Sequence, residues 1–559
     1  MRPIPQSRHL WAILIFVAVS VACGRLAMLD DRLSDPQTHL ATSALKRHQP
    51  DLFAGDAAFG TSLWQAQTPA LQGAMEMVLI PTAYRDPALP FRVMTGLAVM
   101  LYLVGMYALI YRQCRSWSVA AFVAVLSSAV TNTLGGGFWG VGSLGSITPQ
   151  GLVLAVTPLI VLSFLRYSSQ WRILLVFAFV GLCGNLHVAS AMNLTIVLLV
   201  VYLAQRRFAP STWPMTTLCA LCALGGVAPY TAYYLGVKAT IGPPDTIVAT
   251  AAVLKALGVG RPDVLYPKLL GSVLNWLLVA AVLAIPAAAV LSRVERFRVR
   301  DLRVWVYFAC TAIVVAMGFQ GLSQLAGSIT GRPPLIIGFV QAGSLVMLPL
   351  YILFAQALTN LFRLIRNHRA WLRWTCTALA LAWIVPSDNF RICRHAIYDT
   401  ATMFMAEERK PLRVQELHRR RERQAELRRM AVWASNPKNT PVTSLFVTDD
   451  VGFRMLARRG IVASADDFGF FYHMAPWRLE NWTDLVRRSD RMTRPRAGAR
   501  ANAQQLRQFA DDLSAQAQYA QVTQWYAILR AENAPARPDP IEEIHSQSWG
   551  RHYRLYRLR

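Results

Sequence analysis

Long apolar runs with almost no charge recur along this chain, and they constrain its fold more than any other feature. Eleven of them read as candidate membrane spans: 9–29, 92–111, 116–133, 150–166, 172–187, 189–205, 213–235, 268–291, 304–326, 338–361 and 371–386. A spanning helix needs about 20 mostly apolar residues, with a range of roughly 17–25. The fourth, fifth, sixth and eleventh runs are short by that measure, so a few spans are expected to be tilted or partly re-entrant. Hydrophobic residues make up 54% of the chain and charged residues only 16%. Soluble globular chains carry about 25% charge, which excludes a large soluble enzyme. The apolar content also excludes a disordered chain. The net charge of +26 raises the question of nucleic-acid binding. That function needs basic residues on a soluble face. Here many of them sit in short gaps between apolar runs, so a polytopic membrane protein is expected and a nucleic-acid partner is not.

Orientation follows from Lys and Arg in the short loops, which collect on the cytoplasmic side. One alternate set of connections carries Arg112 and Arg115, Arg166 and Arg172, and Arg206 and Arg207. It continues with Arg293, Arg296, Arg298, Arg300 and Arg303, then Arg363, Arg366, Arg369 and Arg373. With Arg2 and Arg8, this set places the N-terminus in the cytoplasm. An odd number of spans then puts 30–91 and 387–559 on the far side. The first span reads as an uncleaved anchor, because no small-x-small cleavage site precedes Asp30. Arg greatly outnumbers Lys and Ala is abundant, which suggests a GC-rich bacterial genome. The expected location is therefore a bacterial inner membrane with a periplasmic far side. The eight Cys form no zinc pattern and no disulfide framework.

Acidic residues are scarce in the membrane half. Residues 1–385 hold 28 basic and 11 acidic residues, and seven of those acids lie between Asp30 and Asp86. The loop 30–91 is too long to be a mere connection. Asp30 and Asp31 sit where the first span leaves the membrane. Asp35-Pro36 marks a helix start. His39 and Lys46 fall two turns apart on that helix, Gln49-Pro50 ends it, and Asp51 and Asp56 follow in a turn with Gly55. A carboxylate at a membrane interface is partly desolvated, which raises its pKa and suits it to general-base work. The bland alternative is a set of solvated acids at a helix end.

Two further external turns carry polar or irregular sequence. Residues 131–151 contain Gly135, Gly137 and Gly140 in a formal GxGxxG spacing, but no strand precedes it, so dinucleotide binding is not expected. So much Gly makes irregular backbone near membrane depth, which survives only if protein buries it or it lines a wet cavity. Phe138 and Trp139 would supply an aromatic wall to such a cavity; a close-packed re-entrant turn is the alternative. At 184–194, His187 is flanked by Asn185, Ser190 and Asn193. Polar groups at that depth are site candidates, although a lone His at a turn is more often structural. Arg332, in the loop between the ninth and tenth spans, would bind a phosphate or simply snorkel to the interface.

After the last span, 387–434 reads as a juxtamembrane linker, with a charge-dense helix over 404–434. Its Arg-rich face would meet solvent or anionic headgroups. Residues 435–559 read as a small α/β domain with strands at TSLFVT, GIVAS, QVTQWYAIL and RHYRLYRL, and a helix over 502–518. Asp449, Asp450, Asp466 and Asp467 are paired acids at strand ends, where capping and turns explain them.

The expected fold class is mainly α: a polytopic helix bundle over 1–386 with a C-terminal α/β extracytoplasmic domain. This pattern resembles the GT-C superfamily of integral-membrane glycosyltransferases. The resemblance rests on Asp30-Asp31 after the first span, the long external loop, about eleven spans and the external C-terminal domain. Within that superfamily the chain looks like poorly characterised bacterial members with a loop of the type HQPDLFAGD. Those also carry a trailing segment like WASNPKNTPVTSLFVTDDVGFRMLARRGIVAS. The resemblance implies transfer of a sugar from a polyprenyl-phosphate donor to a glycan or lipid acceptor, at the face of the bilayer. It also implies that Asp30 or Asp31 is the acceptor-activating base and that Arg332 holds donor phosphate. His187, His39, Asp51, Asp56 and Trp139 are the further substrate-binding candidates. No cofactor is implied, and a divalent metal is left open. Two other classes stay open: a transporter or flippase for a lipid-linked or charged solute, and a non-catalytic scaffold for envelope polysaccharide assembly.

Overall fold

The computed structural model describes residues 6–26, 33–82, 86–128, 139–241, 250–260, 301–330, 338–365, 400–448, 450–495, 500–546 and 551–559, with residues 378, 389, 394, 397, 398 and 549. The expected spans 268–291 and 371–386 therefore lie outside the described residues, 378 aside.

Uncharged apolar runs become helices here because a helix satisfies every backbone polar group within its own segment. Among the described residues six helices are long and apolar enough to cross a membrane: Leu89–Cys114, Pro149–Tyr167, Val188–Gln205, Pro210–Ile241, Leu302–Gly327 and Phe339–Arg363. Three shorter apolar helices, His9–Arg25, Trp117–Ser127 and Ile173–Cys183, coincide with the expected runs at 9–29, 116–133 and 172–187. In chain order the first elements are α1 (Gln6–Leu26), α2 (Asp35–His48), α3 (Pro69–Leu79), α4 (Leu89–Cys114) and α5 (Trp117–Ser127). Next come α6 (Pro149–Tyr167), α7 (Ile173–Cys183), α8 (Val188–Gln205), α9 (Trp213–Ile241) and α10 (Thr250–Gly260). The bundle is completed by α11 (Leu302–Val314), α12 (Gln320–Thr330) and α13 (Met347–Ile365).

Small residues bring the helices close. A Cβ on Gly181 of α7 would collide with the carbonyl of Ala223 in α9, and one on Gly226 with the backbone of Ala178–Leu182. Close backbone approach of this kind is how apolar helices gain dispersion energy where no hydrophobic driving force draws them together. Gly105 of α4 likewise takes Pro158 and Leu159 of α6 against its face.

The two ends of the bundle differ. At one end Arg112 donates to the Leu165 carbonyl (2.9 Å), Arg206 to the Ser168 carbonyl (2.9 Å), and Gln113 to the Asp301 carboxylate (3.2 Å). The Arg-bearing connections thus gather on one side. At the other end the hydroxyls of Tyr230 and Tyr233 donate to the carbonyls of Ala66 and Gln65 in the 30–91 loop (3.2 and 3.1 Å). Next to them Tyr234 donates to the carbonyl of His473 (2.8 Å).

His473 belongs to the C-terminal domain. It begins with α14 (Leu412–Ser435) and β1 (Ser444–Val447), followed by α15 (Val451–Ala457), β2 (Gly460–Ile461), α16 (Phe468–Met474) and α17 (Leu479–Thr493). It ends with α18 (Ala503–Ser514), β3 (Gln524–Arg530), β4 (Glu542–Ile544) and β5 (Tyr553–Arg557). The sheet order is β2-β1-β3-β5-β4. The pairs β1–β2 and β1–β3 are parallel, whereas β3–β5 and β4–β5 are antiparallel. Leu445 faces Gly460 and Trp525, and Ala527 faces Tyr556. The charge-dense helix α14 does more than link. Its Leu427, Met430, Ala431 and Ala434 pack with Phe446, Ile461 and Tyr526 of the sheet. Its Glu426, 1% exposed, accepts from the backbone N–H groups of His552 and Tyr553 at the start of β5.

Candidate functional site

The 30–91 loop and the C-terminal domain meet around one buried guanidinium. Arg454 lies on α15, whose segment VGFRMLA is otherwise uncharged. Its Nε donates to Asp56 Oδ2 at 2.7 Å and its Nη2 to Asp56 Oδ1 at 3.3 Å. On the other side Nη1 and Nη2 donate to the two oxygens of Asp467 at 2.9 and 2.7 Å. All three side chains are fully buried. Asp56 also accepts from the N–H groups of Ala58, Phe59 and Ile461 at 3.0, 2.9 and 3.0 Å. Nε2 of His39 stands 3.2 Å from Asp467 Oδ1, close enough for ion pairing but poorly aligned as a hydrogen bond. Phe59 covers the guanidinium, 4.8 Å from ring centroid to Cζ, and Phe470 packs against both Phe59 and His39.

Burial opposes every charge in this cluster, so charge pairing decides the balance. Burial works against the Arg454 charge, but Asp467 and Asp56 outweigh it and raise its pKa above the ordinary value. Burial likewise opposes ionisation of Asp467, yet Arg454 and His39 hold its carboxyl below the usual range. At Asp56 burial wins and, with Asp467 beside it, raises the pKa against the pull of Arg454 and the backbone N–H groups of Phe59 and Ile461. The hydrogen-bond partners of its oxygens are all donors, so the ionised form is the one that fits the geometry.

The N-terminal turn of α2 carries a second group of acids. At its N-cap, the Ser34 N–H donates to Oε1 of Gln37 at the third position (3.0 Å), the Gln half of a capping box. Gln37 Nε2 then donates to the Ile147 carbonyl at 3.0 Å, so the turn rests on the connection between α5 and α6. Asp35 lies close enough to Asp466 for their charges to act on each other. The protein crowds Asp466 from one side while its surface stays open to water. That crowding, with Asp35, raises its pKa, and His39 works against the rise. Asp30 and Asp31 lie outside the described residues, a few positions before Ser34 in the chain.

The remaining sequence candidates are dispersed. Asp51 is exposed in the bend after α2. Its neighbour Lys46 donates to the carbonyls of Pro50 and Leu52. Trp139 is 1% exposed and its Nε1 donates to the hydroxyl of Tyr102, which in turn donates to Ser127 Oγ at 2.8 Å. Asn389 braces the same connection, donating to the carbonyls of Ser128 (2.7 Å) and Gly142 (3.1 Å) and accepting from the Leu144 N–H (2.9 Å). His187 is the N-cap of α8: its Nδ1 accepts from the Ser190 N–H at 3.2 Å and lies 2.8 Å from Ser190 Oγ. Among the described residues no hydrogen bond or ion pair joins His187 to the acid cluster. Arg332 and Phe138 lie outside the described residues.

Among the described residues no group of three or more His, Cys, Asp or Glu is arranged to hold a metal ion. Cys219 and Cys222 have CxxC spacing, but they lie inside the apolar helix α9. No family model matches the chain, and no curated protein matches it.

Sequence reading assigned Asp466 and Asp467 to capping, and that role exists: Asp467 Oδ2 accepts from the Ser464 N–H at 3.2 Å. It missed Arg454, whose partner Asp56 is 398 residues away. The local sequence held little signal: Phe453 and Met455 flank Arg454 but point to other faces of the helix, so its burial depends on the partner segments.

Proposed function

We propose that this chain is an integral-membrane glycosyltransferase of the GT-C type, with about eleven spans. It would transfer a sugar from a polyprenyl-phosphate donor to an acceptor on the periplasmic face of a bacterial inner membrane. The observation that carries this reading is the acid group at the N-terminal turn of α2. Asp35, which follows Asp30-Asp31 closely in the chain, lies near enough to Asp466 for their charges to interact, at the end of the bundle opposite the Arg-bearing connections. Arg-rich connections favour the cytoplasm, so the acid end would face the periplasm.

The reaction needs little from the protein beyond a base and good positioning. A carboxylate of the Asp30-Asp31 pair takes the proton of an acceptor hydroxyl. The hydroxyl oxygen attacks the anomeric carbon, and the bond to the lipid phosphate breaks with its electron pair on the phosphate oxygen. The sugar inverts, and Arg332 would balance the phosphate charge. Asp35 and Asp466 make the neighbourhood anionic, which keeps a nearby carboxyl basic.

The test is replacement of Asp30 and Asp31 by Asn, singly and together, with turnover of a lipid-linked sugar assayed in membranes. Loss of a general base lowers the rate by about 10²–10⁴-fold. Full activity in the double variant sinks the assignment.

A further inference from the structure

A cleft of about 500 Å³ opens where the 30–91 loop meets the C-terminal domain. One wall is the turn around Gly55–Thr61, and the facing wall is α17 with the residues just before it. The segment after α18 closes the third side. Pockets for small ligands run from about 300 to 1,000 Å³ and are mostly apolar. This one is mostly polar, which argues against a lipid tail.

The kind of polarity is informative. Arg478 is exposed in the lining, and its guanidinium makes no hydrogen bond or ion pair among the described residues. A guanidinium only donates, and the carboxylate of Asp484 only accepts. Asn481, Gln516 and Gln518 present amides that do both. The other lining charges are already engaged: Arg488 pairs with Asp512 at 3.0 Å, and Asp56 with Arg454. An anion would call for donors alone, and a cation for acceptors alone. Mixed donors and acceptors side by side match groups that themselves donate and accept, which is the chemistry of adjacent sugar hydroxyls. Trp482 and Tyr519 belong to the lining as well, and their Nε1 and hydroxyl are buried with no hydrogen-bond partner among the described residues.

We propose that this cleft binds a short, uncharged oligosaccharide through its hydroxyl groups. Asp484 and Asn481 on α17 would grip adjacent hydroxyls, with the glutamines of the 516–518 turn on the far side. Its role as an acceptor subsite rests on the glycosyltransferase reading, whereas saccharide binding itself does not.

The experiment uses the full chain in lipid nanodiscs with maltotriose, mannotriose and chitotriose, followed by saturation-transfer NMR and calorimetry. At least one trisaccharide is expected to bind saturably. Asn481→Ala and Asp484→Ala, both at exposed positions, should weaken that binding about tenfold, as loss of a polar contact does. Their thermal unfolding should not change. The inference falls if no trisaccharide saturates the wild-type chain, or if both variants bind as the wild type does. Binding that survives in the Asp30→Asn, Asp31→Asn chain separates this cleft from the turnover site. If that double variant keeps full turnover, the transferase reading fails while the cleft stands.

Discussion

Two buried polar networks hold irregular segments in place, and they are built differently. Where Trp139 and the residues just after it pack on the apolar bundle, Tyr102, Ser127, Trp139 and Asn389 are all neutral. Where the 30–91 loop meets the C-terminal domain, Asp56, Arg454 and Asp467 are all charged. Both are inaccessible to water. Ionisable groups inside an apolar bundle are expensive, and neutral donors and acceptors can brace a loop without that cost. In a domain that folds in water the charges can be desolvated together, provided one guanidinium satisfies two carboxylates. The neutral network can lose one bond at modest cost, while the charged one stands or fails as a unit.

Removing the guanidinium tests that contrast most severely. Arg454→Ala leaves two buried carboxylates without their counter-charge, a loss of about 3–5 kcal/mol. The expected outcome is release of the domain, seen as rapid proteolysis of the 30–91 loop and a lower unfolding temperature. Arg454→Lys should not rescue it, because an ammonium cannot bind two carboxylates in fork geometry. A stable Arg454→Ala chain would mean that the apolar wall of Phe59 and Phe470 holds the contact alone.

Acid is a milder probe of the same unit. The pKa of Asp467 is lowered in the folded state, so its contribution is present above the ordinary carboxylate pKa. It is lost as pH falls below that value toward the folded one. Asp56 has the opposite sign, because its raised pKa makes the folded form the better proton acceptor on acidification. Protease resistance of the loop should therefore persist at about pH 6, well above the ordinary carboxylate range. Weakening should begin only below that range. Loss already at pH 6 would mean that the ion pairs are not the attachment.

The neutral network should give the smallest effect. Trp139→Phe removes the bond to Tyr102 and keeps the ring, for a loss of about 0.5–1.5 kcal/mol. Thermal unfolding in nanodiscs measures it. A loss as large as that of Arg454→Ala would erase the distinction between the two networks.

The bundle was largely legible because apolar length alone decides it. Nine of the eleven expected runs coincide with helices, and the other two lie outside the described residues. The strands at 444–447, 460–461 and 553–557 fall within expected segments, and 524–530 runs one residue past the segment QVTQWYAIL. The edge strand Glu542–Ile544 was missed, since a short edge with two Glu looks like a loop. The helix Leu479–Thr493 was passed over too, although buried Leu479, Trp482 and Val486 recur at helical spacing. At the site, a local pattern announced α2 and the capping of Asp467. It had no means of announcing that Asp56 and Asp467 share one guanidinium, because that depends on how the two ends of the chain are brought together.

That shared guanidinium also sets a timetable. Arg454 follows Asp56 by 398 residues. At typical synthesis rates of about 5–20 residues per second, the ribosome needs roughly 20–80 s to cover that distance. Throughout that interval the loop has emerged, its carboxylates are solvated, and its counter-charge does not yet exist. This contact therefore cannot close until α15 has been made. A chain truncated before α15 would insert its bundle and leave the loop without its clamp, an easy target for a protease that surveys the membrane surface.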